Sequence, residues 1–203
     1  IDKSFRYMRV SPYKNYNIKM KFRPKGILFL HDFVDSPHHY GSMIFNSFWE
    51  WAVFSLETIE KFKLDIAIKP HPNSLYQTRR FVEQLQSRFT KVRWIDHRIS
   101  NRDIFNSGIK FGVSVYGSIL LELAYHNIIP IASTRYHPYS NYKFVYTPRN
   151  LSDYKNFLIK PHKLKKNVIS KREIEEFYYM QTFYNHDGLK NTARSIQLKD
   201  FKN

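Results

Sequence analysis

Cysteine is missing from this 203-residue chain, which excludes disulfide scaffolds, thiolate zinc sites and cysteine nucleophiles together. The absence also fits a reducing compartment. Glycine is scarce, at 6 residues, and neither an internal repeat nor a low-complexity segment is present. With 42% hydrophobic and 17% aromatic residues, the chain is not of the disordered class in spite of its charge. Long apolar runs are lacking too. The most apolar stretch, residues 113–133, carries Glu122, His126 and Asn127 and is broken by Gly117 and Pro130. It is too interrupted to span a bilayer and reads as strand, helix, strand. The opening Ile1-Asp2-Lys3-Ser4 has neither an initiator methionine nor the apolar core of a signal peptide. The expectation is a soluble globular chain that belongs to a longer protein.

Acidic residues are few, 17 against 33 Lys and Arg, for a net charge of +16. The surplus is uneven: residues 1–25 carry +7, residues 26–148 only +3, and residues 149–203 carry +6. This divides the chain into a basic, aromatic lead-in (1–25), a nearly balanced central unit (26–148) and a basic tail (149–203). Such a balance invites a nucleic-acid reading, but no recognisable DNA- or RNA-binding signature accompanies it.

The central unit alternates strand-like and helix-like segments. Gly26–His31 is a short apolar run after Pro24, and apolar residues from Asn46 to Phe62 recur at helical spacing. Strands are expected at Leu64–Ile68, Lys91–Ile95, Ile109–Val115 and Ile128–Ala132. Helices are expected from an N-cap at Ser74 to Phe89, at Asn101–Asn106, and from Ser118 to His126. Short joins between alternating elements predict an α/β fold, a Rossmann-like parallel sheet flanked by helices. The tail adds expected helices at Ser152–Leu158, Lys171–Tyr184 and Thr192–Phe201, packed on the domain.

In an open parallel sheet, ligands bind outside the carboxyl ends of the strands, and three loops fall there. In Tyr116-Gly117-Ser118, glycine permits close backbone approach, serine offers a hydroxyl, and a helix start offers amides to a phosphate. Glu122, one turn on, shares a face with Ser118 and is placed to accept from ribose hydroxyls. The same residues also read as a plain cap on a buried helix, with Glu122 paired to a neighbouring base. His71, between Pro70 and Pro72 and beside Lys69, is fixed in direction and suited to donate to a phosphate or to serve as general acid; the plainer alternative is a rigid turn with an exposed histidine. The first loop holds Asp32, Asp35, His38 and His39, which lack the spacing of a zinc site. No metal is expected.

The order of these motifs resembles the C-terminal, nucleotide-sugar-binding half of bacterial GT-B glycosyltransferases of the capsule polysaccharide biosynthesis type, which includes Kdo transferases. The resemblance rests on the Asp-Ser-Pro-His-His-Tyr-Gly loop at 35–41, Lys69-Pro70-His71-Pro72, Tyr116-Gly117-Ser118 with Glu122, and Ile129-Pro130-Ile131. It covers residues 26–142. It implies that His71 and Ser118 contact the donor phosphate, that Glu122 binds the ribose or orients the site, and that Lys69 adds positive charge, with Tyr116 and Gly117 shaping the loop. It also implies a substrate rather than a cofactor: a CMP-, UDP- or GDP-linked sugar. A glycan or glycolipid acceptor, an N-terminal GT-B half in a longer parent, and a cytoplasmic location reaching the acidic inner face of the membrane follow from the same resemblance. Two departures stand out. His126-Asn127-Ile128 replaces the glycine that precedes the buried strand in many relatives. The base is usually supplied by the N-terminal half, so within this chain Asp35 is the candidate base. Competing readings are a CDP-polyol phosphotransferase-like or epimerase-like domain, and a non-enzymatic basic domain that binds nucleic acid or an anionic surface; nucleic acid is not the expected partner.

Overall fold

Four-residue apolar runs set the frame of the molecule. The computed structural model describes residues 13–14, 16–41, 43–72, 76–164 and 171–182. Its strands are β1 (Gly26–Phe29), β2 (Ile66–Lys69), β3 (Arg93–Trp94), β4 (Phe111–Ser114) and β5 (Ile129–Ala132). Every residue of β1, β2 and β4 is buried, as expected of parallel strands covered on both faces. The strands form one parallel sheet in the order β3-β2-β1-β4-β5, with Gly26 in register with Ile66 on one side and Phe111 on the other. The chain therefore builds outward from β1 to β3, returns, and builds outward again from β4. The reversal falls between β1 and β4, where an open α/β sheet leaves its ligand crevice.

Side-chain alternation along the strands divides the core into two layers. Leu28, Ile66, Ile68 and Val113 face α1 (Phe48–Lys61), α2 (Tyr76–Arg88) and α5 (Leu151–Ile159). Ile27, Phe29, Ala67 and Ala132 face α3 (Asn101–Asn106), α4 (Ile119–Tyr125) and α6 (Lys171–Thr182). The fold is thus a Rossmann-like α/β sheet flanked by helices with a C-terminal helical extension. The extension covers both faces: α5 packs on α1 and α6 on α4. Between α1 and α5, Trp51 Nε1 donates to Tyr154 Oη at 2.9 Å, and Ser55 Oγ lies 2.7 Å from the same oxygen while donating to the Trp51 carbonyl. Gly112 in β4 lets α4 approach, since a Cβ there would collide with the Leu123 side chain.

Local capping explains where the helices start. Ser47, Ser100 and Asn150 accept hydrogen bonds from the amides of Glu50, Asp103 and Asp153, as N-caps do. The cap of α5 is therefore Asn150, two residues ahead of the expected start. Ser118 does not fill the alternative role of a side-chain cap. Its backbone is already helical, and its hydroxyl makes no cap bond. Residues 1–12, the expected N-cap at Ser74, and the expected helix at Thr192–Phe201 lie outside the described residues. Among the described residues, no helix is long and apolar enough to cross a membrane.

Candidate functional site

The crevice between β1 and β4 is built around a histidine that sequence spacing did not single out. His31 follows the buried run of β1, and its ring stacks on Phe48 at 4.7 Å with an interplanar angle of 17°. Tyr116 lies 4.9 Å away and His71 6.3 Å away, centroid to centroid. Three loops, after β1, β2 and β4, thus converge on one ring. Nδ1 of His31 sits 3.3 Å from the Asp32 carbonyl and 3.9 Å from Asp35 Oδ2. The side chain remains 13% exposed, so it lines the crevice rather than the core. Burial lowers its pKa from the ordinary histidine value, against the opposing pull of the Asp32 carbonyl, Asp35 and Asp32.

His71 is half-buried and turned toward His31, so the alternative of an exposed turn histidine does not describe it. Burial first, then the neighbouring His31, brings its pKa down to about 4; Lys69 acts the same way, and Asp32 and Asp35 oppose. Both rings are therefore uncharged at neutral pH. Tyr116 is buried, and its hydroxyl donates to the Ser36 carbonyl, tying the β4 loop to the β1 loop. Gly117 is half-buried. A Cβ there would make only ordinary contacts, the nearest at 3.7 Å, with the His31 ring at 4.0 Å.

Asp32 and Asp35 divide the work of the first loop. Asp32 is fully buried and accepts from the Thr78 hydroxyl of α2 and, at 3.4 Å, from the Val34 amide. It anchors the loop. Asp35 is exposed at the rim, where Oδ1 accepts from the Ser36 amide at 2.8 Å. His38 and His39 are exposed, and His38 Nδ1 accepts from the Met43 amide. Tyr40 packs edge-on against Tyr116 at 5.2 Å. Gly41, at φ 116°, lies under the Tyr136 ring, which would stand 3.3 Å from an added Cβ. The positive φ favours glycine there, and the contact with Tyr136 joins the loops after β1 and β5. Among the described residues, no group of three or more His, Asp or Glu is arranged to hold a metal ion.

Lys69 and Glu122 are both buried and held by protein partners. Lys69 is 2% exposed, and its Nζ donates to the His97 carbonyl at 3.3 Å. Burial lowers its pKa to about 8, against the raising effects of Glu122 and Asp96. Glu122 is buried and accepts from Tyr13 Oη at 2.7 Å, Asn101 Nδ2 at 2.9 Å and Ser118 Oγ at 3.4 Å. The predicted shared face of Ser118 and Glu122 is therefore real. Protein hydroxyls and an amide, rather than a neighbouring base, occupy the carboxylate. Burial raises its pKa, while these three bonds and Lys69 pull the other way. A ribose hydroxyl would have to compete with Tyr13 for Glu122.

The start of α4 does not offer the row of unpaired amides that was expected. The helix has seven residues, and the amides of Leu120, Leu121 and Glu122 bond to the carbonyls of Gly117 and Ser118. Ser118 itself is exposed beside the crevice. A groove of about 230 Å³ lined by Asn17, Ile18, Lys19, Met20 and Asp103 lies along the lead-in and α3 and includes none of the crevice residues. The arrangement places two neutral imidazoles, a serine hydroxyl and an exposed carboxylate at the carboxyl ends of β1, β2 and β4 of a Rossmann-like sheet. Comparison with protein-family models and with curated proteins returns no match for the chain.

Proposed function

We propose that the chain is the nucleotide-sugar-binding domain of a glycosyltransferase that builds a bacterial surface polysaccharide. The observation that supports it is the convergence of His31, His71 and Tyr116 from three strand ends at the β1/β4 switch point. A leaving nucleotide phosphate needs donors already aimed at it, and neutral imidazole N–H groups in a partly dry crevice provide them without reorganisation. His71 and Ser118 bind the phosphate, with Gly117 and Tyr116 shaping the loop beneath it. Asp35 at the rim is the candidate base. Lys69 contributes long-range positive charge from beneath the crevice. Glu122 reaches a ribose hydroxyl only in exchange for Tyr13. The acceptor is a glycan or glycolipid, met by this domain together with an N-terminal half of the GT-B kind, at the cytoplasmic face of an acidic membrane that the basic flanks favour.

Thermal shift with CMP, CDP, UDP and GDP tests the reading. A ligand at about 100 times its Kd stabilises the fold by about 2.7 kcal/mol. One of the four nucleotides is expected to raise the melting temperature, and His71→Ala and Ser118→Ala to abolish the response. No shift with any of them refutes the proposal.

A further inference from the structure

His31 has no part in the chemistry that the loop motifs suggest, yet it is the residue on which those loops converge. Phe48 stacks on its ring and Tyr116 packs against it at a tilt, and the ring of His71 lies near-parallel to it at 6.3 Å and 25°. An imidazole N–H lies in the plane of its ring, so two near-parallel rings at that separation can both donate to one tetrahedral anion that spans their edges. We propose that His31 and His71 form a single phosphate-binding unit that takes up protons when the phosphate of a nucleotide binds across the edges of both rings. This rests on the nucleotide-binding reading above and adds to it a second imidazole and a proton.

The charges around the pair point the same way. Burial disfavours protonation of both rings, and His31 further disfavours that of His71. Asp32 and Asp35 in the β1 loop favour the charged forms, and Lys69 at the end of β2 opposes that of His71. Tyr116 and Tyr40 are the neighbouring phenols, and burial, then Asp35, raises the Tyr40 pKa from its ordinary value. The helices packed against the loops present Phe48 from α1 and Thr78 from α2. The net effect without ligand is two neutral rings. An opposite charge within hydrogen-bond distance raises a histidine pKa by about 1 to 3 units. For His71, a rise of about 2.5 units from its value near 4 tightens phosphate binding roughly tenfold between pH 7.5 and 5.5. His31 adds to that in the same direction. Because Asp35 favours the charged form of His31, Asp35→Asn lowers the His31 pKa before any ligand is added.

Ring ¹⁵N spectra of the native protein, titrated from about pH 5 to 8 with and without each of CMP, CDP, UDP and GDP, read both histidines directly. His31→Gln and His71→Gln assign the two signals, and the other seven histidines are internal controls. On adding the nucleotide that binds, both pKa values are expected to rise by about 1 unit or more. His31→Gln is expected to weaken that nucleotide roughly tenfold and to flatten the pH dependence of its binding. The native spectra carry the test even if a variant fails to fold, since the two shifted signals are seen without one. A nucleotide that binds while neither ring, or only His71, changes its pKa overturns the paired site and leaves the nucleotide reading standing. Failure of every nucleotide to bind overturns both.

Discussion

His137 makes the fold sensitive to acid in a way that one substitution isolates. It is 4% exposed, its Nδ1 accepts from the Tyr139 amide at 3.2 Å, and its Nε2 meets Thr147 Oγ1 at 2.7 Å. The Tyr139 amide fixes the tautomer: Nδ1 must stay unprotonated, so Nε2 carries the hydrogen and donates it to Thr147. A second proton would both charge a buried ring and break the Tyr139 bond. Burial holds the pKa at about 4, against 6.5 for an ordinary histidine. Above pH 6.5 the ring is neutral in the folded and unfolded chains alike. As the pH falls below that value the unfolded chain takes up the proton first, so stability is lost progressively until the folded ring also titrates near 4. Between pH 7 and pH 5 the loss from this group comes to about 2 kcal/mol. Asparagine at 137 has an oxygen where Nδ1 sits and accepts the amide two residues on in an Asx turn. His137→Asn is thus expected to cost about 1–2 kcal/mol at neutral pH through the lost Thr147 bond. Urea unfolding of both proteins at pH 7 and pH 5 makes the comparison. The remaining histidines, including His71, contribute equally to both proteins and cancel. The variant should lose about 2 kcal/mol less than the native protein over this interval; equal losses would refute the assignment of the acid sensitivity to His137.

Three further outcomes follow from the packing. Tyr154→Phe leaves the Trp51 indole N–H and Ser55 Oγ without their shared partner between α1 and α5, and should lower unfolding free energy by about 1–3 kcal/mol in urea; an unchanged midpoint would mean that this network does not hold α5 on α1. Gly112→Ala drives a methyl into Leu123 and should cost about 1–3 kcal/mol by the same assay, whereas a neutral result would show that α4 has room to retreat. Thr78→Val removes the hydroxyl that bonds to buried Asp32. It should destabilise by about 1–3 kcal/mol and loosen the β1 loop, read as faster amide exchange at Phe33 and Val34; protection that stays native would contradict the anchoring role.

Much of the architecture was legible because its causes are local. Buried four-residue runs bounded by Pro24, Pro70 and Gly117 mark the strands. The short helix Asn101–Asn106 falls within the expected bounds because Ser100 and Asp103 cap it from within a single turn. The expected strand at Lys91–Ile95 contracts to Arg93–Trp94 because it pairs with β2 alone at the sheet edge. The site was legible only as a set of loops. His31 was overlooked because it reads as the end of a strand, and its importance comes from the chain's return to β4. Lys69 and Glu122 were assigned outward roles because their actual partners are remote: the Glu122 contacts to Asn101 and Tyr13 span 21 and 109 residues.

The amino-acid sequence alone determined which chemistries are closed to this protein, cysteine chemistry foremost, and which segments must be strand, helix or turn. Those follow from residue types and from spacings of a few residues. Strand order, the crevice between β1 and β4, and the neighbours of each polar side chain were decided only in the tertiary structure. They depend on which apolar faces pack together across tens of residues, and that packing turned Lys69 and Glu122 inward while placing His31 beside His71.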